Sequence, residues 1–326
     1  MTFRRQINTA LRRTTGFRLT RETPEQRQEH IKKAADAAAQ PRLRQARSQV
    51  TQAARERDAA RAALAELRRT VAAKEAKRRR RLRRRKTPDE QAWEMIDEEA
   101  RRIIGPVIPR TMTGAAKLFG MIEALRYIDR VNVPGEIVEC GVWRGGSMQA
   151  AALTLLECHD TERELHLFDT FEGMPPPSDV DVRFKDGQTA EELMRTSDKD
   201  AAIWAIAGLD DVQQGMAETS YPSEKIFYHR GRVEETIPDQ APDQIALLRL
   251  DTDWYESTRH ELDHLYDLLS PGGILIIDDY RYWEGSYRAT HEWLDETGEP
   301  LFLVPMGPAG VAVKPFGPRD RVDSGS

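Results

Sequence analysis

Two apolar runs of strand length, each followed by carboxylates, mark the second half of the chain. Residues 274–277 (ILII) lead into Asp278 and Asp279, and residues 247–250 (LLRL) lead into Asp251. Short apolar runs of this kind are typical of strands that are buried in a parallel sheet. If the two strands are neighbours, their carboxyl ends bring the aspartates together at the edge where open α/β sheets bind ligands.

The rest of the pattern after about residue 87 alternates between strands and helices. The predicted strands are Ile137–Gly141, Leu165–Asp169, Ile226–His229, Ile245–Asp251, Ile274–Asp278, Leu301–Pro305 and Gly310–Lys314. The predicted helices are Thr113–Arg130, Gly146–Cys158, Leu209–Thr219, Trp254–Leu269 and Ser286–Glu296. This alternation predicts an α/β fold with a doubly wound, mostly parallel seven-stranded sheet, in which the last two strands allow an antiparallel edge.

The N-terminal part has a different pattern. Residues 1–23 form a basic segment, and residues 24–86 are rich in the helix formers Ala, Arg, Gln, Glu and Lys, with an interruption at Pro41. A heptad series can be placed on this arm at Val50, Ala53, Arg57, Ala60, Leu64, Leu67, Val71 and Lys74. Because Arg57 and Lys74 interrupt the seam, a dimerising coiled coil and a solvated single helix both remain open.

The remaining boundaries follow from changes in composition. Residues 87–135 are interpreted as linker and lid helices, residues 136–316 as the catalytic domain, and residues 317–326 as a disordered tail. The segment Met174–Gly187 is rich in Pro and Asp, which predicts a mobile loop over the site.

Charge divides the chain into a basic arm and an acidic body. Residues 1–86 carry 27 Lys and Arg against 8 Asp and Glu, a net of +19, whereas the other residues carry 22 against 46, a net of −24. The run KRRRRLRRRK at 77–86 could bind an anionic membrane surface or nucleic acid, or serve as a charged hinge. No aromatic residues interleave with it to stack on bases, so sequence-specific nucleic-acid binding is not expected.

Cysteines and hydropathy point to a cytoplasmic protein, with peripheral membrane association as an alternative. Cys140 and Cys158 could form one disulfide, but they resemble neither a secreted cysteine framework nor a zinc site. No run reaches the ~18 apolar residues that a membrane span needs. The basic N-terminus is not followed by an apolar segment of the kind that a secretory signal requires.

A glycine-rich segment, ECGVWRGGS at 139–147, follows the first strand of the alternating region and opens a helix. Glycines at such a turn allow close approach of the backbone to a ligand, although a plain strand-to-helix turn would look similar. Asp169 ends the next strand, where an acid can accept hydrogen bonds from ribose hydroxyls. The pair predicts a cofactor that contains adenosine.

The aspartates at the two strand ends predict a metal site. Asp251, Asp278 and Asp279 are hard oxygen ligands with no Cys or His beside them, which favours Mg²⁺, Mn²⁺ or Ca²⁺ over zinc. Asp253 is interpreted instead as the cap of the following helix, because Asp253 and Glu256 have the spacing of a capping box.

The sequence HELDH at 260–264 matches the HExxH pattern of zinc peptidases. On a helical wheel, however, His260 and His264 lie opposite the apolar stripe formed by Thr258, Leu262, Leu265, Tyr266 and Leu269. Both histidines are therefore expected on the solvent face, and no zinc site is predicted.

Taken together, these segments resemble the macrocin O-methyltransferase family (TylF/MycF-type), whose members transfer a methyl group from S-adenosylmethionine to sugar hydroxyls of natural products with the help of a divalent cation. The resemblance covers roughly residues 105 to 300. The matching stretches are PGEIVECGVWRGGSM, LHLFDTFEGMPPP, ALLRLDTDWYESTRHELDHLY, LSPGGILIIDDY and the weaker TMT around Met112. The resemblance implies a class I, Rossmann-like methyltransferase fold.

The resemblance also implies roles for individual residues. Glu139, Gly141 and Gly145 would contact the methionine end of the cofactor, and Ser147 and Met112 would complete its pocket. Asp169 would bind the ribose. Asp251, Asp278 and Asp279 would hold the metal, and Asp251 is in addition the predicted general base.

The chain departs from the family pattern at two places. Arg232 follows Gly231 where the family usually has an aspartate that meets the adenine amino group, and arginine cannot accept that hydrogen bond. Glu234 or backbone could supply it instead. The family's Tyr-Gly-His-Trp is Tyr280-Arg281-Tyr282-Trp283 here, so one histidine is missing.

The predicted function is therefore O-methylation of a sugar hydroxyl on a natural product or a glycan, dependent on S-adenosylmethionine and on a divalent cation (Mg²⁺, or Mn²⁺ or Ca²⁺). Two alternatives remain: a catalytically inactive scaffold that acts through its N-terminal coil, and a catechol-type O-methyltransferase. If the N-terminal helix forms a coiled coil, the protein partner is a second copy of this chain; if it is a solvated single helix, no such partner is predicted.

Overall fold

The computed structural model describes residues 23–83 and 88–316. The chain divides into two compact units on either side of Arg85. The α-helices are α1 (Pro24–Arg83), α2 (Pro88–Met95), α3 (Glu98–Val107), α4 (Ala115–Arg130), α5 (Gly146–Glu157), α6 (Ala190–Thr196), α7 (Leu209–Ala217), α8 (Val233–Thr236), α9 (Tyr255–Leu265) and α10 (Glu284–Thr297). The strands are β1 (Glu136–Cys140), β2 (Leu165–Asp169), β3 (Ile226–Arg230), β4 (Ile245–Leu250), β5 (Leu269–Ile277), β6 (Val304–Met306) and β7 (Ala309–Val313).

The seven strands form one sheet in the order β3-β2-β1-β4-β5-β7-β6. The five strands from β3 to β5 are parallel, whereas β7 runs antiparallel to both β5 and β6. The predicted doubly wound sheet with an antiparallel edge is therefore confirmed. Because the direction of winding reverses between β1 and β4, a crevice opens there at the carboxyl ends of the strands.

Two apolar cores cover the two faces of the sheet. One core joins side chains of α2 to α5 and α7 to the sheet, with Ile104, Leu118 and Leu155 among its fully buried members. The other core joins the sheet to α9 and α10, with Leu265 and Tyr266 at its centre. The helices between residues 88 and 130 thus share a core with the sheet that carries the predicted catalytic residues.

The structure differs from the predicted elements mainly at their ends. Strand β5 begins at Leu269, which pairs with Ile245 beside an irregularity in the register. Helix α9 ends at Leu265, earlier than predicted, and residues 266–268 form the turn that leads into β5. Near the C-terminus, β6 contains three residues and the chain at 301–303 is irregular.

Helix α1 is continuous over 60 residues and includes Pro41, so the predicted interruption does not break the helix. At 1.5 Å per residue it is about 90 Å long. The basic segment 1–22, the tail 317–326 and the side chains of the basic run 77–86 lie outside the described residues. Within the described helices, none has the length and apolar character that crossing a membrane requires.

Candidate active site

A cavity of about 710 Å³ opens at the carboxyl ends of the strands. It is bordered by the turn after β1, the ends of β2, β4 and β5, and the segment that begins at Met174. Its lining includes Met112, Thr113, Lys117, Gly141, Ser147, Asp169, Met174, Arg183, Arg232, Glu234, Asp251, Asp253, Asp278, Asp279 and Trp283. The glycine turn and the aspartates therefore meet in one cavity.

The turn after β1 needs its glycines. Gly141 has a φ of +83°, and a Cβ there would lie 2.0 Å from the carbonyl oxygen of Asp251. This close approach holds β1 against β4, where the Asp251 N–H donates to the Cys140 carbonyl at 2.8 Å. Gly145 has a φ of +77° and precedes the first turn of α5. The sequence therefore places backbone, with no side chain, beside the cavity.

Asp169 organises this turn from the end of β2. Its Oδ2 accepts hydrogen bonds from the N–H groups of Val142 at 2.7 Å and Trp143 at 3.0 Å, and its Oδ1 accepts one from Phe171 at 2.7 Å. Burial raises the pKa of this carboxyl, although the three backbone hydrogen bonds oppose that effect. Asp169 also lines the cavity. It can thus hold the turn and offer its remaining lone pairs to a ligand.

The other predicted cofactor residues are distributed around this turn. Ser147 lines the cavity and is buried, with its Oγ 3.5 Å from Thr113 Oγ1. Met112 lines the cavity as well but is half exposed. Gly145 is not among the lining residues.

Glu139 is fully buried in β1 and does not line the cavity. Its Oε1 accepts a hydrogen bond from Arg249, whereas Oε2 has no hydrogen-bond partner among the described residues. A buried acceptor without a donor is costly. The ammonium group of a methionine moiety is a donor of the right charge for it, so this atom fits the predicted cofactor.

Three carboxylates meet at the ends of β4 and β5. One oxygen from each of Asp251, Asp278 and Asp279 lies within 4.8 Å of the others. Burial raises the pKa values of Asp251 and Asp279 well above the usual range for aspartate. Asp278 is buried and the other two are half-buried, and three hard oxygen donors of this kind suit a divalent cation such as Mg²⁺. The donor set therefore fits the metal that the sequence predicts.

Two cations that the sequence analysis did not identify lie in the same cluster. Arg249 donates to Asp278 Oδ1 at 2.7 Å and forms an ion pair with Asp251 Oδ2 at 2.8 Å, and Lys117 Nζ donates to Asp278 Oδ2. Although burial opposes ionisation, these two cations lower the pKa of Asp278 to about 2. An arginine inside an apolar strand was the signal, because such a residue cannot be buried without carboxylate partners.

Asp253 is not the helix cap that the sequence predicts. Helix α9 begins at Tyr255, whose N–H donates to Asp181 Oδ1 at 2.8 Å, so an aspartate from another segment takes that role. Asp253 adopts a φ of +69° and lines the cavity. Burial, followed by the charges of Asp251 and Asp278, raises its pKa to about 7. The capping spacing is misleading because the left-handed turn directs the carboxylate toward the site.

The histidines of the HELDH segment lie apart from this cluster. Both are half-buried, which differs from the predicted solvent face, because His260 Nε2 lies 3.0 Å from the Ile237 carbonyl and packs against His264. Neither belongs to a group of three metal-binding side chains among residues 23–83 and 88–316. Cys140 and Cys158 are both free thiols.

Arg232 lies at the rim of the cavity, next to Glu234. Arg232 precedes helix α8, and its Nε donates to Glu234 Oε2 at 3.2 Å. Both residues line the cavity, and Glu234 is the less exposed of the two. A carboxylate is therefore present near the position at which arginine replaces the family's usual aspartate.

The strand order, the glycine turn and the acid at the end of β2 define a class I methyltransferase fold, which binds S-adenosylmethionine at this edge of the sheet. The model of the macrocin O-methyltransferase (TylF) family matches residues 39–305. The chain belongs to this family, and it is an S-adenosylmethionine-dependent O-methyltransferase.

Individual relatives agree with this assignment. The chain is similar to 8-demethyl-8-(2,3-dimethoxy-alpha-L-rhamnosyl)-tetracenomycin-C 4'-O-methyltransferase of Streptomyces olivaceus, with 32% identity over 60% of this chain and 73% of that protein. It is 30% identical to mycinamicin III 3''-O-methyltransferase of Micromonospora griseorubida over 63% of this chain and 78% of the relative. The solved structure of the O-methyltransferase NovP matches with a TM-score of 0.55 and 28% identity, over 64% of this chain and 83% of NovP.

Proposed function

We propose that this methyltransferase acts on a hydroxyl group of a sugar, carried by a natural product or a glycan, with the help of a divalent cation. The main support for this proposal is that the glycine turn after β1 and the three aspartates line the same cavity. The name of the Streptomyces olivaceus relative states that its substrate carries a rhamnosyl group, which supports the sugar acceptor.

Each part of the cavity has a role in this mechanism. Asp169 and the N–H groups that it orders would hold the cofactor, which would supply the methyl group. Asp251, Asp278 and Asp279 would hold the cation. When bound, a divalent cation supplies a positive charge that lowers the pKa of a coordinated hydroxyl. The methyl group would pass from sulfur to the hydroxyl oxygen, with S-adenosylhomocysteine as the leaving group, and the walls of the cavity would align the acceptor for this transfer.

Two aspartates are candidates for the general base. The sequence predicts Asp251, but a carboxylate bound to a metal is a poor base. Asp253 lies in the same cavity outside the group of three and has a pKa raised to about 7. A carboxylate that is not itself bound to the cation keeps its lone pairs for the hydroxyl proton. We therefore propose Asp253 as the residue that accepts the hydroxyl proton, with Asp251 as a metal ligand.

Another part of the cavity wall would supply contacts for the acceptor. Met174, Arg183 and Trp283 line it, and the indole Nε1 of Trp283 is buried without a hydrogen-bond partner among the described residues. A donor of this kind beside an apolar wall suits a sugar, which offers both C–H surface and hydroxyl acceptors. The segment Met174–Gly187 would close over the acceptor and exclude water.

The alternatives predict different outcomes with acceptors. A catechol-type enzyme would methylate planar phenols, and an inactive scaffold would methylate neither class. We expect transfer of label from methyl-labelled S-adenosylmethionine to glycosylated natural products or glycans in the presence of Mg²⁺, and none to catechols. Transfer to catechols alone would overturn the sugar assignment.

Glu234 is expected to contribute to adenine binding in place of the missing aspartate. The change Glu234→Ala should weaken binding of S-adenosylhomocysteine by about tenfold, because one hydrogen bond to a charged acceptor is lost. Calorimetric titration measures this effect. The exposed neighbour Glu235 provides the matched control, and Glu235→Ala should leave the affinity unchanged. Equal affinities for the two variants would assign adenine recognition to the backbone.

For helix α1 we propose self-association with a second copy of the same helix. Val50, Leu64, Leu67 and Val71 occupy seam positions, and their exposed fractions are 69%, 49%, 61% and 48%. In a parallel pair, Glu56 at a g position would face Arg61 at an e position of the other copy, which is an attractive pairing. The apolar seam and this charge pattern both favour a two-stranded coil.

The double change Leu64→Glu and Leu67→Glu is expected to convert dimers into monomers, because it places like charges on the seam of both helices. Sedimentation equilibrium of the full chain measures the mass. Ala65→Glu with Arg69→Glu, on the outer face of the same two turns, should leave the dimer intact. A wild-type chain that is monomeric at all concentrations would contradict the coil.

We propose separately that the basic arm, residues 1–86, attaches a cytoplasmic protein to the surface of an anionic membrane. It rests on the net charge of +19 in residues 1–86. We expect the full chain to float with vesicles that contain phosphatidylserine at low salt, and not with neutral vesicles. Equal recovery with both kinds of vesicle would contradict electrostatic binding.

A further inference from the structure

The two cations of the aspartate cluster differ in their access to the cavity. Arg249 is only 3% exposed and is not a lining residue, and its guanidinium is held from inside the sheet by Glu139, Asp251 and Asp278. Lys117 is 15% exposed and lines the cavity. Arg249 is thus a fixed part of the fold, whereas Lys117 lies on the side from which a ligand enters.

The hydrogen bonding of Lys117 is also simpler than that of Arg249. Arg249 donates hydrogen bonds to Glu139, Thr113 and Asp278 through a planar group that cannot move without breaking several of them. Lys117 Nζ donates to Asp278 Oδ2. It is carried on a flexible stem of four carbons from helix α4, so it can leave that oxygen by rotating its side chain.

The contact between Lys117 and Asp278 places a positive charge among the carboxylates that line the cavity. Asp251, Asp253, Asp278 and Asp279 all line the cavity, and the charge of Lys117 acts on Asp251, Asp278 and Asp279. These are the same three carboxylates that would hold the divalent cation. An ammonium group at a ligand oxygen neutralises the cluster without a metal, and it repels a second cation that approaches the same oxygen.

We propose that Lys117 is an exchangeable counter-ion of the metal site, an inference that rests on the proposed function. In the metal-free protein its ammonium group stays on Asp278 and stabilises the aspartates. When a divalent cation binds, Lys117 leaves Asp278 Oδ2. Lys117 therefore lowers the affinity of the site for a divalent cation, compared with the same site without the lysine charge, and keeps metal binding reversible. The same charge keeps the fold intact when no metal is bound.

Binding of Mn²⁺ to the metal-free full chain, followed by the electron paramagnetic resonance signal of free Mn²⁺, tests this inference without any turnover. We expect Lys117→Met to bind Mn²⁺ at least about tenfold more tightly than the wild type, because a positive charge next to the site is removed. Lys117→Arg keeps the charge and should bind as weakly as the wild type. Lys225→Met removes a lysine that does not line the cavity and should have no effect.

The variants also separate this inference from the metal proposal. Mn²⁺ binding that is lost in Asp279→Asn, yet equal in the wild type and Lys117→Met, would overturn the role of Lys117 and leave the metal site in place. No Mn²⁺ binding by any variant would overturn the metal site itself. As a second readout, metal-free Lys117→Met should melt at a lower temperature than the wild type, and Mn²⁺ should restore it. Lys117→Gln serves in the same tests if the Met variant does not fold.

Discussion

Replacing Asp169 with alanine is expected to reduce the affinity for S-adenosylhomocysteine by at least about 100-fold, since several hydrogen bonds to one carboxylate are lost at once. The reason is that this carboxylate does two things. It orders the turn after β1 by accepting from Val142, Trp143 and Phe171, and it is the residue from which we expect contacts to the ribose. Calorimetric titration of the ligand into the full chain measures the loss.

The exposed Asp239 provides the control for this change. Asp239→Ala should bind the ligand like the wild type. Asp169→Asn should fall between the two, because its carbonyl oxygen can still accept from some of the N–H groups while its NH₂ group faces another donor. Circular dichroism shows whether each variant is folded. Folded Asp169→Ala with wild-type affinity would contradict the role given to this residue.

The second large effect concerns the metal aspartates. Asp279→Asn is expected to lower the rate of methyl transfer by about 10²–10³, the range found when one electrostatic contact to the developing charge is removed. Binding of S-adenosylhomocysteine should remain, because Asp279 lies at the end of β5 and not in the cofactor turn. Single-turnover transfer of labelled methyl groups, together with calorimetry, separates the two quantities.

Removal of the metal with EDTA and a control variant test the same prediction. Excess EDTA should reproduce the effect of Asp279→Asn on the wild type and add nothing to the variant. Asp239→Asn, which makes the same chemical change at an exposed position, should retain full activity. If Asp279→Asn and EDTA each left methyl transfer unchanged, the cation would have no part in the reaction.

The sequence was sufficient to predict the framework of the site. Runs of apolar residues such as 245–250 and 274–277 are long enough to identify buried strands, and the carboxyl ends of parallel strands meet at one edge. Gly141 and Asp169 could be placed for the same reason. Strand limits were less predictable, because β5 extends back to Leu269 through pairing with β4, a tertiary interaction that local pattern does not contain.

The charges inside the cluster were the part that sequence reasoning missed. Asp253 has the spacing of a capping residue, and only its left-handed backbone conformation turns it toward the cavity. Lys117 lies on a helix that is otherwise amphipathic, so nothing in the local pattern distinguishes it from a surface lysine. Arg249 lies inside an apolar run, which predicts a buried strand but no role for the arginine in the site. Arg249 inside an apolar strand indicated buried carboxylate partners, but the partners of both cations became recognisable only when residues more than 100 positions apart were brought together.

We expect the cavity at the ends of β1, β2 and β4 to bind S-adenosylmethionine even though Arg232 replaces the family's usual aspartate. Calorimetric titration of S-adenosylhomocysteine into the full chain, once with Mg²⁺ and once with EDTA, tests it most directly. We expect saturable binding with one ligand per chain in both conditions, because the cation is expected to act on the acceptor. No binding by folded protein in either condition would contradict it and would favour a scaffold that has lost the cofactor.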